Sequence, residues 1–147
     1  MARRGSASVG SGALTVKTYI FACVHNAGRS QMAAAFFNLA ADPHRARAIS
    51  AGTEPAAGVH PEVLIAMAAC DVDLSGVAPQ LLTADLARDA AALVTMGCGE
   101  RCPSVPGLRV EDWALADPKG LSQDAVTEIR NEIRQRVASF VTREGVG

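Results

Sequence analysis

The stretch from Val16 to Cys23 constrains this chain most: a short, largely apolar run with Val, Tyr, Ile and Phe, the pattern of a buried strand. Directly after it, His25-Asn26-Ala27-Gly28 gives way to strong helix formers from Ser30 to Ala41. A strand that passes through a tight loop into a helix is half of a parallel crossover unit. Downstream the alternation recurs. Arg47–Ala51 reads as a second strand ended by Gly52, and His60–Cys70 as a helix with Pro61 in its first turn and Val63, Leu64 and Met67 on one face. Asp85–Asp89 reads as a short helical piece, Ala91–Met96 as a third strand and Leu108–Trp113 as a fourth. The last helix has the clearest period, with Val126, Ile129, Ile133, Val137, Phe140 and Val141 recurring at three and four. Strands alternating with helices predict a parallel sheet covered on both faces.

Composition narrows the class. A chain of 147 residues, 49% hydrophobic and 20% charged, suits one globular α/β domain. Residues 1–15, rich in Gly, Ser and Ala, read as a disordered N-terminal extension, leaving 16–147 as a single catalytic domain. With 14 basic and 15 acidic residues, the formal charge of -1 disfavours a nucleic-acid binder but not a small anion held by local fields. Neither a membrane span nor a secretory leader is evident, so a cytoplasmic location is expected. Four cysteines (Cys23, Cys70, Cys98 and Cys102) then point to reduced, catalytic or redox-active thiols rather than a disulfide framework.

The chemistry starts at the end of the first strand, in Cys23-Val24-His25-Asn26-Ala27-Gly28-Arg29-Ser30. With Cys closing a strand and Arg opening a helix, the intervening backbone can curl so that several N–H groups converge, and the helix N-terminus adds positive potential there. Gly28 eases the demands of so tight a loop, and Asn26 tolerates a left-handed backbone. Arg29 offers a planar fork for two oxygens of a tetrahedral anion. The same fields favour a thiolate, and Ser30 can donate to the sulfur. His25 either tunes the site or faces solvent.

This loop resembles the Cys-x5-Arg-Ser/Thr signature of the low-molecular-weight protein tyrosine phosphatase superfamily, and Cys23–Ala33 is similar to its arsenate reductases. The resemblance runs from about Val16 to Phe140. It implies a four-stranded parallel sheet flanked by helices, with Cys23 as nucleophile and Arg29 as oxyanion ligand. Asp117-Pro118, which precedes the last helix, matches the superfamily's general acid. The phosphatases usually place aromatic residues just after that pair; here Lys119-Gly120-Leu121 follows, which disfavours a phosphotyrosine substrate. Trp113 is the nearby aromatic, and core packing explains it equally well.

Cys98 and Cys102 flank a Gly-rich turn after the third strand, at the same sheet edge as Cys23. Reduction of As(V) to As(III) takes two electrons, which thiols supply as a disulfide forms, so both are candidates for the relay. Their short spacing resembles actinobacterial members, some of which use mycothiol and mycoredoxin; the resemblance leaves thioredoxin and mycothiol both open as reductant. Cys-x3-Cys without a second ligand pair is a poor metal site, and Cys70 reads as core filler. Ser50, Gly52 and Thr53 read as turn residues near the loop.

Overall fold

A computed structural model describes residues 15–97, 102–103 and 105–147. The expected N-terminal extension therefore lies, except for Thr15, outside the described residues, as does Cys98. The elements run β1 (Lys17–Cys23), α1 (Arg29–Ala40), β2 (Ala46–Gly52), α2 (Pro61–Ala68), α3 (Ala84–Ala87), β3 (Ala92–Thr95), β4 (Val110–Asp112) and α4 (Gln123–Glu144). The four strands form one parallel sheet in the order β2-β1-β3-β4.

Period-two alternation along β1 divides the core. Tyr19, Phe21 and Cys23 face α1, α2 and α4. Ile20 and Ala22 face a smaller cluster with Leu82, Ala87 and Leu93, covered by α3. Both faces are covered, as the sequence predicts, but unequally. On the larger face the rings of Tyr19, Phe21, Phe37, Trp113 and Phe140 lie 5.0–6.2 Å apart, centroid to centroid. Such tilted and edge-to-face pairs each contribute about 1 kcal/mol beyond burial. Trp113 is thereby a core residue.

Three details depart from the sequence reading. Ser50 and Gly52 belong to β2 itself, because their register continues opposite Phe21 and Cys23; the turn begins at Thr53. α3 starts one residue earlier than expected, where the Thr83 hydroxyl accepts from the Leu86 N–H. Helix α2 ends at Ala68, so Cys70 falls on the exit turn, half-buried, with an Arg134 guanidinium nitrogen 3.8 Å from its sulfur. It is not core filler.

Strand order positions the site. The chain leaves β1 to one side for β2 and later returns to place β3 on the other side. The loops after β1 and β3 therefore diverge, opening a crevice at the carboxyl ends of the strands.

Candidate active site

Cys23, His25, Ala27, Gly28, Arg29, His60 and Asp117 line one small pocket in that crevice. The loop between Cys23 and Arg29 is shaped from outside. Carbonyls of Val24, His25 and Ala27 accept from the N–H groups of Glu54 (2.7 Å), Ala56 (2.9 Å) and His60 (2.9 Å). In a trans peptide, the N–H after each carbonyl points the opposite way. The amides of His25, Asn26 and Gly28 thus point away from those outer partners, the orientation an anion cradle requires.

Helix α1 adds to that field. It has no side-chain cap and no acidic residue in its first turn, so its first amides are left for a ligand. By contrast, α4 starts on the Ser122 hydroxyl, which accepts from the Ala125 N–H, and carries Asp124 in its first turn.

Beneath the cradle lies a polar chain. The Cys23 sulfur is 2.9 Å from the Ser30 hydroxyl. Asn26 donates to the same hydroxyl at 2.8 Å, and its carbonyl oxygen accepts from the Gln80 N–H at 2.9 Å. Asn26 is fully buried with φ 51, a conformation that short polar side chains tolerate best after glycine. Gln31 donates to the Asn26 backbone carbonyl at 3.0 Å, and Gln80 to that of Ser50 at 2.9 Å. Gly52 is required beneath this loop: a Cβ there would stand 2.7 Å from the Val24 carbonyl oxygen and 2.9 Å from Asn26.

Arg29 is only 8% exposed. One terminal nitrogen donates to the Leu115 carbonyl at 3.1 Å, and the other lies 3.8 Å from an Asp117 carboxylate oxygen. Its Nε is buried without a partner among the described residues. A buried, unpaired guanidinium nitrogen is costly unless a ligand completes it. Asp117 is half-exposed, its carboxylate accepting from the Lys119 N–H at 3.0 Å. Pro118 seats this loop on the nucleophile loop: a Cβ on Gly28 would come within 2.9 Å of the proline ring.

The expected loop residues therefore separate by task. Ala27 and Gly28 line the pocket with Cys23 and Arg29, and His25 faces it with its ring held 3.0 Å from the Glu54 carbonyl. The Val24 side chain instead packs on the smaller apolar cluster, and Asn26 and Ser30 brace from behind. Cys102 is half-buried, packed against that same cluster, and disulfide-bonded; Cys23 and Cys70 are free. Cys98 lies outside the described residues. Sequence reasoning missed His60, Gln80 and Gly97. Only Gly97, a glycine ending an apolar strand, carried a local signal. Among the described residues no cluster of metal-ligating side chains occurs, and no helix is long and apolar enough to cross a membrane.

A parallel α/β sheet with a cysteine under an amide cradle, an arginine fork and an aspartate on a second loop defines a class of enzymes that attack tetrahedral oxyanions. The chain belongs to the low molecular weight phosphotyrosine protein phosphatase family, whose sequence profile matches residues 18–145. A Halobacterium salinarum relative is 39% identical over 128 residues, covering 82% of this chain and 87% of its own length. The arsenate reductase of Staphylococcus aureus is 31% identical over 135 residues, 88% of this chain and 100% of that protein. The structure of a thioredoxin-dependent arsenate reductase from Corynebacterium glutamicum superposes with a TM-score of 0.76 at 37% identity, over 91% of this chain. This chain spans 64% of that longer one.

Proposed function

We propose that this protein is an arsenate reductase, with residues 16–147 as its catalytic domain. The observation that carries the reading is the buried Arg29 Nε beside the Cys23 loop, without a partner among the described residues, in a chain similar to arsenate reductases over most of its length.

Arsenate binds to the loop amides and Arg29. The Cys23 thiolate attacks arsenic, Asp117 gives a proton to the departing oxygen, and an S–As(V) bond replaces an O–As bond. A second thiolate then attacks the Cys23 sulfur. The S–S bond forms, the S–As bond breaks, and its electron pair stays on arsenic, which leaves as arsenite. Two thiols are oxidised for two electrons gained. Cys98 supplies that thiolate and Cys102 then frees Cys23 by exchange, leaving a disulfide in the loop after β3. The disulfide at Cys102 supports a pair of this kind. An external reductant reopens it, thioredoxin by likeness to the C. glutamicum protein, in the cytoplasm, where thiols are kept reduced.

Arsenite formation with thioredoxin and its reductase tests this, beside mycothiol with mycoredoxin. Turnover with thioredoxin that is lost in both Cys23→Ser and Cys98→Ser supports the internal relay. Loss only in Cys23→Ser, with mycothiol required, replaces Cys98 by an external thiol. Hydrolysis of a phosphomonoester with no arsenite would overturn the reading in favour of a phosphatase.

A further inference from the structure

Arg29 cannot hold an oxyanion unless its guanidinium is fixed, and the residue that leaves room for it is distant in sequence. Gly97, two residues beyond β3, has φ +90, and a Cβ built on it would lie 2.6 Å from an Arg29 terminal nitrogen. That Cβ would also stand 3.4 Å from both the guanidinium carbon and the other terminal nitrogen. The guanidinium carbon and both terminal nitrogens therefore lie against a bare Cα. On its other side the same nitrogen reaches the Leu115 carbonyl at 3.1 Å. Arg29 is held between the end of β3 and the segment after β4, which fixes the plane of its Nε, an atom without a partner among the described residues.

We propose that Gly97 is a positioning residue for oxyanion binding: it keeps the Arg29 guanidinium in the plane that presents Nε to the ligand. This deepens the arsenate reductase reading and rests on it. The atom a side chain would meet is the free end of an arginine rather than backbone. The fold can therefore absorb Gly97→Ala by expelling the guanidinium, so the loss falls on the site. It also explains why the residue directly before Cys98 is a glycine: the anion site, not the cysteine, demands it.

Backbone strain must be separated from displacement, because alanine at φ +90 is strained regardless of space. Gly107 supplies the control, with φ +79 and nothing within 4 Å of an added Cβ. The experiment is calorimetric titration of the unaltered protein, Gly97→Ala and Gly107→Ala with inorganic phosphate, with melting temperatures measured in parallel. Expected are similar melting losses in both variants, but phosphate binding weakened at least about tenfold only in Gly97→Ala, the equivalent of one charge-assisted hydrogen bond. In an Arg29→Ala background, Gly97→Ala should change phosphate affinity no further.

Equal phosphate affinity in Gly97→Ala and the unaltered protein would overturn the proposal while leaving the arsenate reductase reading intact. If the unaltered protein binds no phosphate or arsenate, that reading fails. The Arg29 Nε–H resonance in nitrogen-edited spectra then judges Gly97 separately. A shift confined to Gly97→Ala upholds its hold on the guanidinium, and an unmoved resonance overturns it.

Discussion

The start of α1 and the end of α4 solve the same problem in opposite ways. Both are helix termini with orphan backbone groups beside charged side chains. At the end of α4 the capping turn and the charged side chains find partners within the protein. Gly145, at φ 70, turns the chain so that its N–H meets the Thr142 and Val141 carbonyls. Glu144 accepts from Tyr19 at 3.0 Å and is held by both terminal nitrogens of Arg109. Arg143 pairs with Glu111, which also accepts from the Trp113 indole at 2.7 Å. The phenol of Tyr19 is pushed up to about 12, chiefly by burial and then by the Glu144 hydrogen bond. At the start of α1, among the described residues no side chain caps the helix and a buried Arg29 nitrogen has no partner, and Asn26 sits at positive φ. One end spends its polar groups on the fold; the other holds them in reserve for a ligand.

Substitutions at the first end should therefore cost stability alone, and those at the second should cost activity first. The largest effect is expected for Cys23→Ser. Removing the proposed nucleophile should lower arsenite formation by about 10^4-fold or more, while the hydroxyl keeps a contact to Ser30 and melting stays unchanged. An active Cys23→Ser variant would break the comparison outright. Asp117→Asn comes next. Its carboxyl is half-exposed and accepts from the Lys119 N–H, with Arg29 at 3.8 Å. Loss of the proposed acid should slow turnover by about 10^2–10^3-fold at constant melting temperature. Pre-steady-state formation of the arsenic adduct would place the defect in the first step.

Asn26→Ala tests whether the two ends separate completely. It removes the bonds to Ser30 and from Gln80 and leaves alanine at φ 51, which together should cost on the order of 2 kcal/mol and also weaken turnover. Asn26→Gly keeps the backbone relaxed but lacks the brace. It should recover part of the stability and little of the rate, measured by denaturant unfolding beside arsenite assays. Full recovery of both would mean that φ alone, not the chain of hydrogen bonds to Cys23, makes Asn26 matter.

These contrasts also show what could be read from the residues in order. The unit β1–loop–α1 was legible because strand, loop and helix are contiguous, so Cys23, Arg29 and Ser30 declare themselves by spacing. The period of α4 likewise marks its buried face without knowledge of what lies opposite. Gly97 against Arg29, Pro118 on Gly28 and Gln80 on Asn26 were not legible, because each is created by closure of the sheet between distant segments. Cys70 departs from the sequence reading for a local reason: the helical period continues through it, but α2 stops at Ala68 and the cysteine is half-buried on the exit turn. The network around Glu144 was invisible too, since Tyr19 and Glu144 stand 125 residues apart in the chain.

That network gives the smallest expected effect and the sharpest control. Hydrogen bonds from Arg109 hold the Glu144 carboxyl below the usual carboxylate range, against the opposing pull of burial, with the Tyr19 bond helping. A carboxyl lowered in the folded state contributes stability that is fully present above its unfolded value, about 4.3. That stability is lost as pH falls through the lower folded value. Glu144→Gln keeps the size and one acceptor but not the charge. Arg109 is half-exposed and solvent screens the pair, so the neutral-pH cost should be about 1 kcal/mol, with arsenite formation unchanged. The acid limb is the discriminating measurement. Stability of the unaltered protein should fall more steeply below about pH 4.3 than that of Glu144→Gln. Parallel acid limbs would mean that the charge at the end of α4 adds nothing to the fold. A lowered arsenite rate would mean that the two ends are coupled after all.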